Sequence, residues 1–280
     1  MIIDTHTHFY DPYRPDGVPW PPRDDALLYR RVLPEDYKAV AVPEGVTGTV
    51  VVEASEWVED NRWILDLAET EPFIVGFVGN LDPESDDFED QLASLSGNPL
   101  FRGIRLHRNE VQTVSDPLYS RLELLAQTDL SLDLLIDVEQ LHSAVRIAEG
   151  LPDLRIVLNH VIHVPIDGKT PDPDWIDGLH NVSRYPNVYC KVSGLVETAI
   201  RKPAPPELIY YAPTLDHLWE ILGVDRLIYA SNWPVCEHGA DYTTVQRIPM
   251  EYFKAIGEEA VEKVFWRNAK AAYKWLDQEQ

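Results

Sequence analysis

The sequence is short of cysteine, of lysine and of long apolar runs, and each shortage removes a class of protein. Two cysteines in 280 residues, Cys190 and Cys236, cannot build a disulfide framework, and neither stands in a CxxC or similar ligand spacing. They read as reduced thiols. Only 8 of the 24 bases are lysine, and 47 acids leave a formal charge of -23. A chain this acidic is repelled by phosphate backbones and anionic lipid, so neither nucleic acid nor membrane is expected as a partner. The apolar runs are strand-sized, below the roughly 20 residues of a membrane helix, and MIIDTHTH lacks the basic-then-apolar order of a secretory leader. A cytoplasmic setting is expected. There is no GxSxG nucleophile turn and no GxxxxGK[ST] loop, which disfavours a serine hydrolase of that kind and a P-loop enzyme.

What is present is a repeated pattern. Short β-branched runs recur at 1–8, 48–55, 74–81, 101–108, 131–137, 155–161, 187–194 and 226–233. Between several of them lie segments such as EDNRWILDLAET and EQLHSAVRIAEG, whose apolar residues return at three and four positions as on a helix face. Pro117 after Asp116 and Pro173 after Asp172 mark helix starts. Strand and helix in alternation imply a parallel sheet covered on both faces. Eight such units predict an α/β fold, a (β/α)8 barrel, as a single domain over 1–280. An open doubly wound sheet is the alternative, but no glycine-rich turn follows the first strand. Two excursions, Phe9 to Glu44 and Ile200 to Tyr211, are expected at the rim, and the end of the chain reads as an amphipathic closing helix.

Barrel chemistry belongs at the C-terminal ends of the strands. Seven of the eight proposed strands end in polar groups there: His6 and His8, Glu53, Arg105 and His107, Asp137, Asn159 and His160, Lys191 and Ser193, and Asn232. His6 and His8 stand two apart, so both imidazoles share one face of a strand and can converge on an ion, or line a polar mouth without one. His160 is a third candidate for that group. Glu53 is either a further ligand or an acceptor for a ligand's N–H. Arg105 presents a fork suited to a substrate carboxylate, with Glu53 or Asp137 as its internal alternative. Lys191 is costly to bury unpaired, so it binds substrate or forms half of a structural pair. His107 can face either way; His163 and His238 read as solvent-facing loop residues.

The stretches IDTHTHFYDP, VVVEASEWVEDNRWILDLAE, IVGFVGNLDPE, FRGIRLHRN, LPDLRIVLNHV, NVYCKVSGL, LIYASNWPVC and FWRNAKAAYKW together resemble the amidohydrolase-related hydrolases that include sugar lactonases and 2-pyrone-4,6-dicarboxylate lactonase. The resemblance runs from end to end. It implies a small lactone or related carboxylic acid as partner, opened by water at the barrel mouth, with either a divalent metal, zinc foremost, or no metal. The resemblance carries over His6, His8 and His160; taken with the strand ends, the expected metal set is His6, His8, His160 and Glu53, the catalytic set His160, Asn232 and Arg105, and the substrate contacts Arg105, Lys191, His107 and Trp233. The sequence also allows a homo-oligomer.

Two positions depart from that pattern. The family reads Ser-Asp-Trp-Pro where this chain has Ser231-Asn232-Trp233-Pro234, and Asp-His where it has Asn159-His160. Asn232 can accept a hydrogen bond from water but has no basic lone pair to take its proton. Losing a general base costs about 10² to 10⁴ in rate. Asn232 therefore implies a slow or specialised metal-dependent hydrolase, a site using another base such as Asp137 or Glu53, or a barrel that binds without turnover. Removing a negative charge from the mouth also favours a substrate that carries a carboxylate.

Overall fold

In the computed structural model, which describes residues 1–276, every one of the eight β-branched runs forms a strand: β1 (Ile3–Thr7), β2 (Gly48–Val52), β3 (Ile74–Gly79), β4 (Phe101–His107), β5 (Ser131–Leu135), β6 (Arg155–Leu158), β7 (Val188–Val192) and β8 (Leu227–Tyr229). All pair in parallel, in sequence order from β1 to β8. The ends of the sheet then meet. Thr7 bridges to Trp233, the His8 amide donates to the Trp233 carbonyl at 2.9 Å, and Thr5 Oγ1 donates to the Tyr229 carbonyl at 2.8 Å. Asp4 fastens the same seam. Its Oδ1 accepts the Ser231 amide at 2.8 Å, and its Oδ2 accepts the hydroxyls of Tyr37 and Tyr242. The last four positions of the domain expected over 1–280 lie outside the described residues.

Helices cover the strands where the apolar periodicity placed them, for instance Glu59–Glu69 and Leu141–Gly150. Ser115 caps Asp116–Gln127, its hydroxyl accepting the Leu118 amide, and Asp172 caps Pro173–Val182. The excursion from Phe9 carries the helix Pro34–Ala41 and lays Trp20 against His8, ring centres 5.7 Å apart, so it does form part of the rim. The second excursion is shorter than expected, because Leu208–Leu222 is already helical. The closing segment is helical but widened by a π-turn over Lys263–Arg267.

That segment plugs the bottom of the barrel. Ala269, Ala272, Tyr273 and Trp275 pack against Ile3, Val50, Val52, Val78, Val157 and Ile228. Each large aliphatic side chain there contributes roughly 1.5–3 kcal/mol by leaving water. With the bottom filled, the polar strand ends at the opposite face are the place left for chemistry. Among the described residues no helix is long and apolar enough to cross a membrane.

Candidate active site

β1 sends His6 and His8 to one face, as their spacing requires, with ring centres 4.9 Å apart. The His160 ring, from the end of β6, stands 4.3 Å from that of His6. Three imidazoles from distant parts of the chain thus share one mouth. His160 opens an unusual turn: residues 160 to 163 all have left-handed backbone angles, with φ of 52, 45, 57 and 48°. Such geometry costs roughly 1–2 kcal/mol per residue. Val161 and Ile162 are fully buried beneath it, and the Trp175 indole donates to the Val161 carbonyl at 2.9 Å. Gly194, at φ 72°, makes room beside it; a Cβ there would lie 2.7 Å from that of His160.

The cations of the mouth are engaged by acids of the protein. Arg105 donates from Nε to Glu53 Oε1 at 2.7 Å and from Nη2 to the Glu53 carbonyl at 2.9 Å, and His107 Nε2 lies 3.0 Å from the same Oε1. Burial pushes the Glu53 carboxyl up, but Arg105 and His107 outweigh it and hold the group below its ordinary range. Glu53 is therefore an acceptor for Arg105 and His107 and not an open ligand. Lys191 is fully buried, its Nζ 2.6 Å from Asp133 Oδ2. Asn159 Nδ2 and the Tyr273 hydroxyl donate to the same carboxylate, each at 3.0 Å. Of the two readings of Lys191, the pair with an internal acid is the one formed here, and its Nζ also lies 3.2 Å from His6 Nδ1. Trp233 also leaves the substrate contacts. It is 1% exposed, packed against Phe9 and Tyr37, and its indole donates to Glu237.

His6 shows how the mouth is electrostatically set. Its Nδ1 lies 3.2 Å from Lys191 Nζ and its Nε2 lies 3.3 Å from Arg105 Nη1. A neutral imidazole has one lone pair, so only one of these contacts is a hydrogen bond. Neither nitrogen is open to an ion. Among the described residues no three His, Cys, Asp or Glu side chains are disposed as a ligand set. As arranged, the three-histidine group does not fit a divalent metal. Burial, then the neighbouring cations, keeps His6 well below the ordinary histidine range; burial foremost does the same for His160 and takes His8 to about 4. At neutral pH the mouth is walled by uncharged imidazoles. His8 Nδ1 donates to the Val52 carbonyl at 3.0 Å, and His160 Nδ1 lies 2.9 Å from Ser193 Oγ.

Asn232, also left-handed at φ 64°, stands within hydrogen-bonding reach of His8 and donates from Nδ2 to Glu197 Oε1 at 2.8 Å. Glu197 lies on the short helix Leu195–Thr198 after β7. Neither it nor Asp133 was singled out from the sequence. The available signals were an acid alone in the apolar stretch LVETAI, and the partner that a mid-strand lysine demands.

The comparisons agree with this geometry. The amidohydrolase family matches residues 3–275. The chain belongs to the amidohydrolase family. It is 33% identical over 247 residues to an L-fucono-1,5-lactonase of Burkholderia ambifaria, covering 86% of this chain and 83% of that one. An amidohydrolase of Burkholderia multivorans with bound zinc superposes with a TM-score of 0.86 at 23% identity, over 99% of this chain and 100% of the other. A probable 2-pyrone-4,6-dicarboxylic acid hydrolase of Acinetobacter baumannii with citric acid bound gives 0.74 at 16%, over 98% and 99%. These two bear on the fold alone. Within this amidohydrolase, Asn159 and Asn232, the amides where the resemblance implies acids, each donate to a carboxylate.

Proposed function

We propose that this amidohydrolase opens a small lactone by attack of water at the C-terminal mouth of the barrel. One observation carries the reading: His6, His8 and His160 meet beside Arg105 in a chain 33% identical to a fuconolactonase. With its Nδ1 accepting from Ser193, the neutral His160 ring has an Nε2–H to offer the carbonyl oxygen as it gains charge. Asn232 holds the attacking water.

A carboxylate on the lactone is the finer part of the proposal. Arg105 is unsuited to bind it, being 6% exposed with its fork filled by Glu53. Arg108, on the rim after β4, is half exposed and, among the described residues, paired with Asp137 alone, an exchangeable partner. It is the cation a substrate carboxylate can reach. Zinc, as the resemblance implies, would become a ligand partner of His6 only after that ring had left Arg105 or Lys191. The reading includes a cytoplasmic setting.

A pH-indicator screen over neutral sugar lactones and carboxylate-bearing lactones tests the proposal, with metal analysis of the same protein and a thermal-shift measurement in parallel. Acid release with a carboxylated lactone, reduced by Arg108→Ala through a higher KM, is expected. Thermal stabilisation with no acid released by any lactone would mark a binding barrel and end the hydrolase reading. Turnover confined to neutral lactones would remove the carboxylate.

A further inference from the structure

The amide at position 232 leaves the reaction without its base, and the two replacements expected from the sequence are both engaged. Glu53 accepts Arg105 and His107, and Asp137 lies between Arg108 and His163. Glu197 is different. Its Oε1 accepts the Asn232 amide at 2.8 Å, while Oε2 is closed off from solvent and has no hydrogen-bond partner. A buried carboxyl oxygen without a partner is expensive in a resting protein and is available to a proton.

Among the described residues no cation is paired with the Glu197 carboxyl, on which Lys202 and His238 act only from a distance. Lys202, on the same excursion, donates to the carbonyls of Val196 and Glu197. His238 and Cys236, after β8, and Tyr211, on Leu208–Leu222, face it from the other elements. Burial pushes the carboxyl up to about 7, against the opposing hydrogen bond from Asn232. The Oε2 atom is enclosed, although the residue as a whole is partly exposed. Gly239 permits this juxtaposition: a Cβ there would lie 2.7 Å from Val196 Cγ2, so only glycine lets the turn after β8 approach the helix that carries Glu197.

We infer that Glu197 is the proton acceptor for the attacking water, one residue behind the position where the family has its acid, with Asn232 holding the water and the carboxylate in register. The inference rests on the lactone reading for its substrate. The O–H bond of water breaks and its proton goes to the Glu197 carboxylate as the hydroxide oxygen bonds to the lactone carbonyl carbon. The ring C–O bond then breaks with its electron pair on the ring oxygen, which takes the proton back from Glu197. The products are a hydroxy acid and the carboxylate as it began.

Glu197→Gln is expected to lower kcat by about 10² to 10⁴-fold with KM nearly unchanged, and to abolish the rise of kcat near pH 7. Adding Asn232→Asp to that variant is expected to restore at least about tenfold, which a merely structural role would not allow. An unchanged kcat and pH profile in Glu197→Gln overturns the assignment. Infrared spectra of the native protein, from about pH 5 to about pH 9 in water and D2O, read the same group without substrate. A carboxylic band that titrates near neutrality, shifts in D2O and is missing from Glu197→Gln is expected. A band that does not titrate overturns the assignment even if lactones are turned over. A titrating band with no lactone opened would instead defeat the lactone reading and leave the proton exchange of Glu197 standing.

Discussion

Two amide–carboxylate pairs sit a few strands apart in this barrel, and they are built to opposite ends. Asn159 donates to Asp133 and Asn232 donates to Glu197, at 3.0 and 2.8 Å. Each amide stands where the resemblance to the family implies an acid. Around Asp133 the protein has gathered a lysine and a tyrosine hydroxyl as well, so that carboxylate is satisfied from several sides. Around Glu197, among the described residues, the Asn232 amide is the side-chain donor in place, and Oε2 has no partner. The first pair is a strut beneath the imidazoles; the second is a proton site at their edge. The same substitution of acid by amide thus yields rigidity where a cation is at hand and chemistry where none is.

The comparison breaks most easily at the strut. Asp133→Asn leaves Lys191 buried without its counter-charge and is expected to cost about 3–5 kcal/mol of stability, measured by urea denaturation; a cost below about 1 kcal/mol would mean that the pair is not structural. The proton site has a smaller and pH-dependent signature. The folded carboxyl of Glu197 titrates near about 7, against 4.5 ordinarily, so the folded state holds the extra proton between those values and stability falls as pH rises through them. The depressed imidazoles act oppositely: the unfolded state binds their protons first, and stability is lost as pH falls below 6.5. Glu197→Gln removes only the first slope. Its stability relative to the native protein is expected to improve by up to about 3 kcal/mol between about pH 5 and about pH 8, read from urea midpoints at both. Smallest is Tyr273→Phe, which deletes one of several donors to Asp133 and is expected to cost about 1.5 kcal/mol while leaving the pH dependence of stability intact.

The barrel was legible because its signals are local and redundant. Each strand is an apolar run with polar residues at one end, and eight of them leave few other ways to bury both faces. Convergence of His6, His8 and His160 followed from that topology together with the period-two geometry of a strand. The partners were harder to read. Nothing in SLDLLID tells that Asp133 meets Lys191, 58 residues away, since the pairing is made across the barrel interior. Glu197 lies on a four-residue helix whose placement depends on Gly194 and Gly239, two close approaches without any periodic trace in the chain. Trp233 follows Asn232 in sequence, yet its indole is buried against Tyr37, which lies on the Pro34–Ala41 helix.

The mirror-handed turn from His160 to His163 bears on how such a site ages and adapts. Its β-branched residues sit in a shape they would abandon if freed, and only the surrounding wall, with Trp175 clasped to Val161, keeps them there. Among the described residues it is the longest run of left-handed backbone. Loosening of the wall, even far from the mouth, reaches the aim of one imidazole before it reaches the cohesion of the fold.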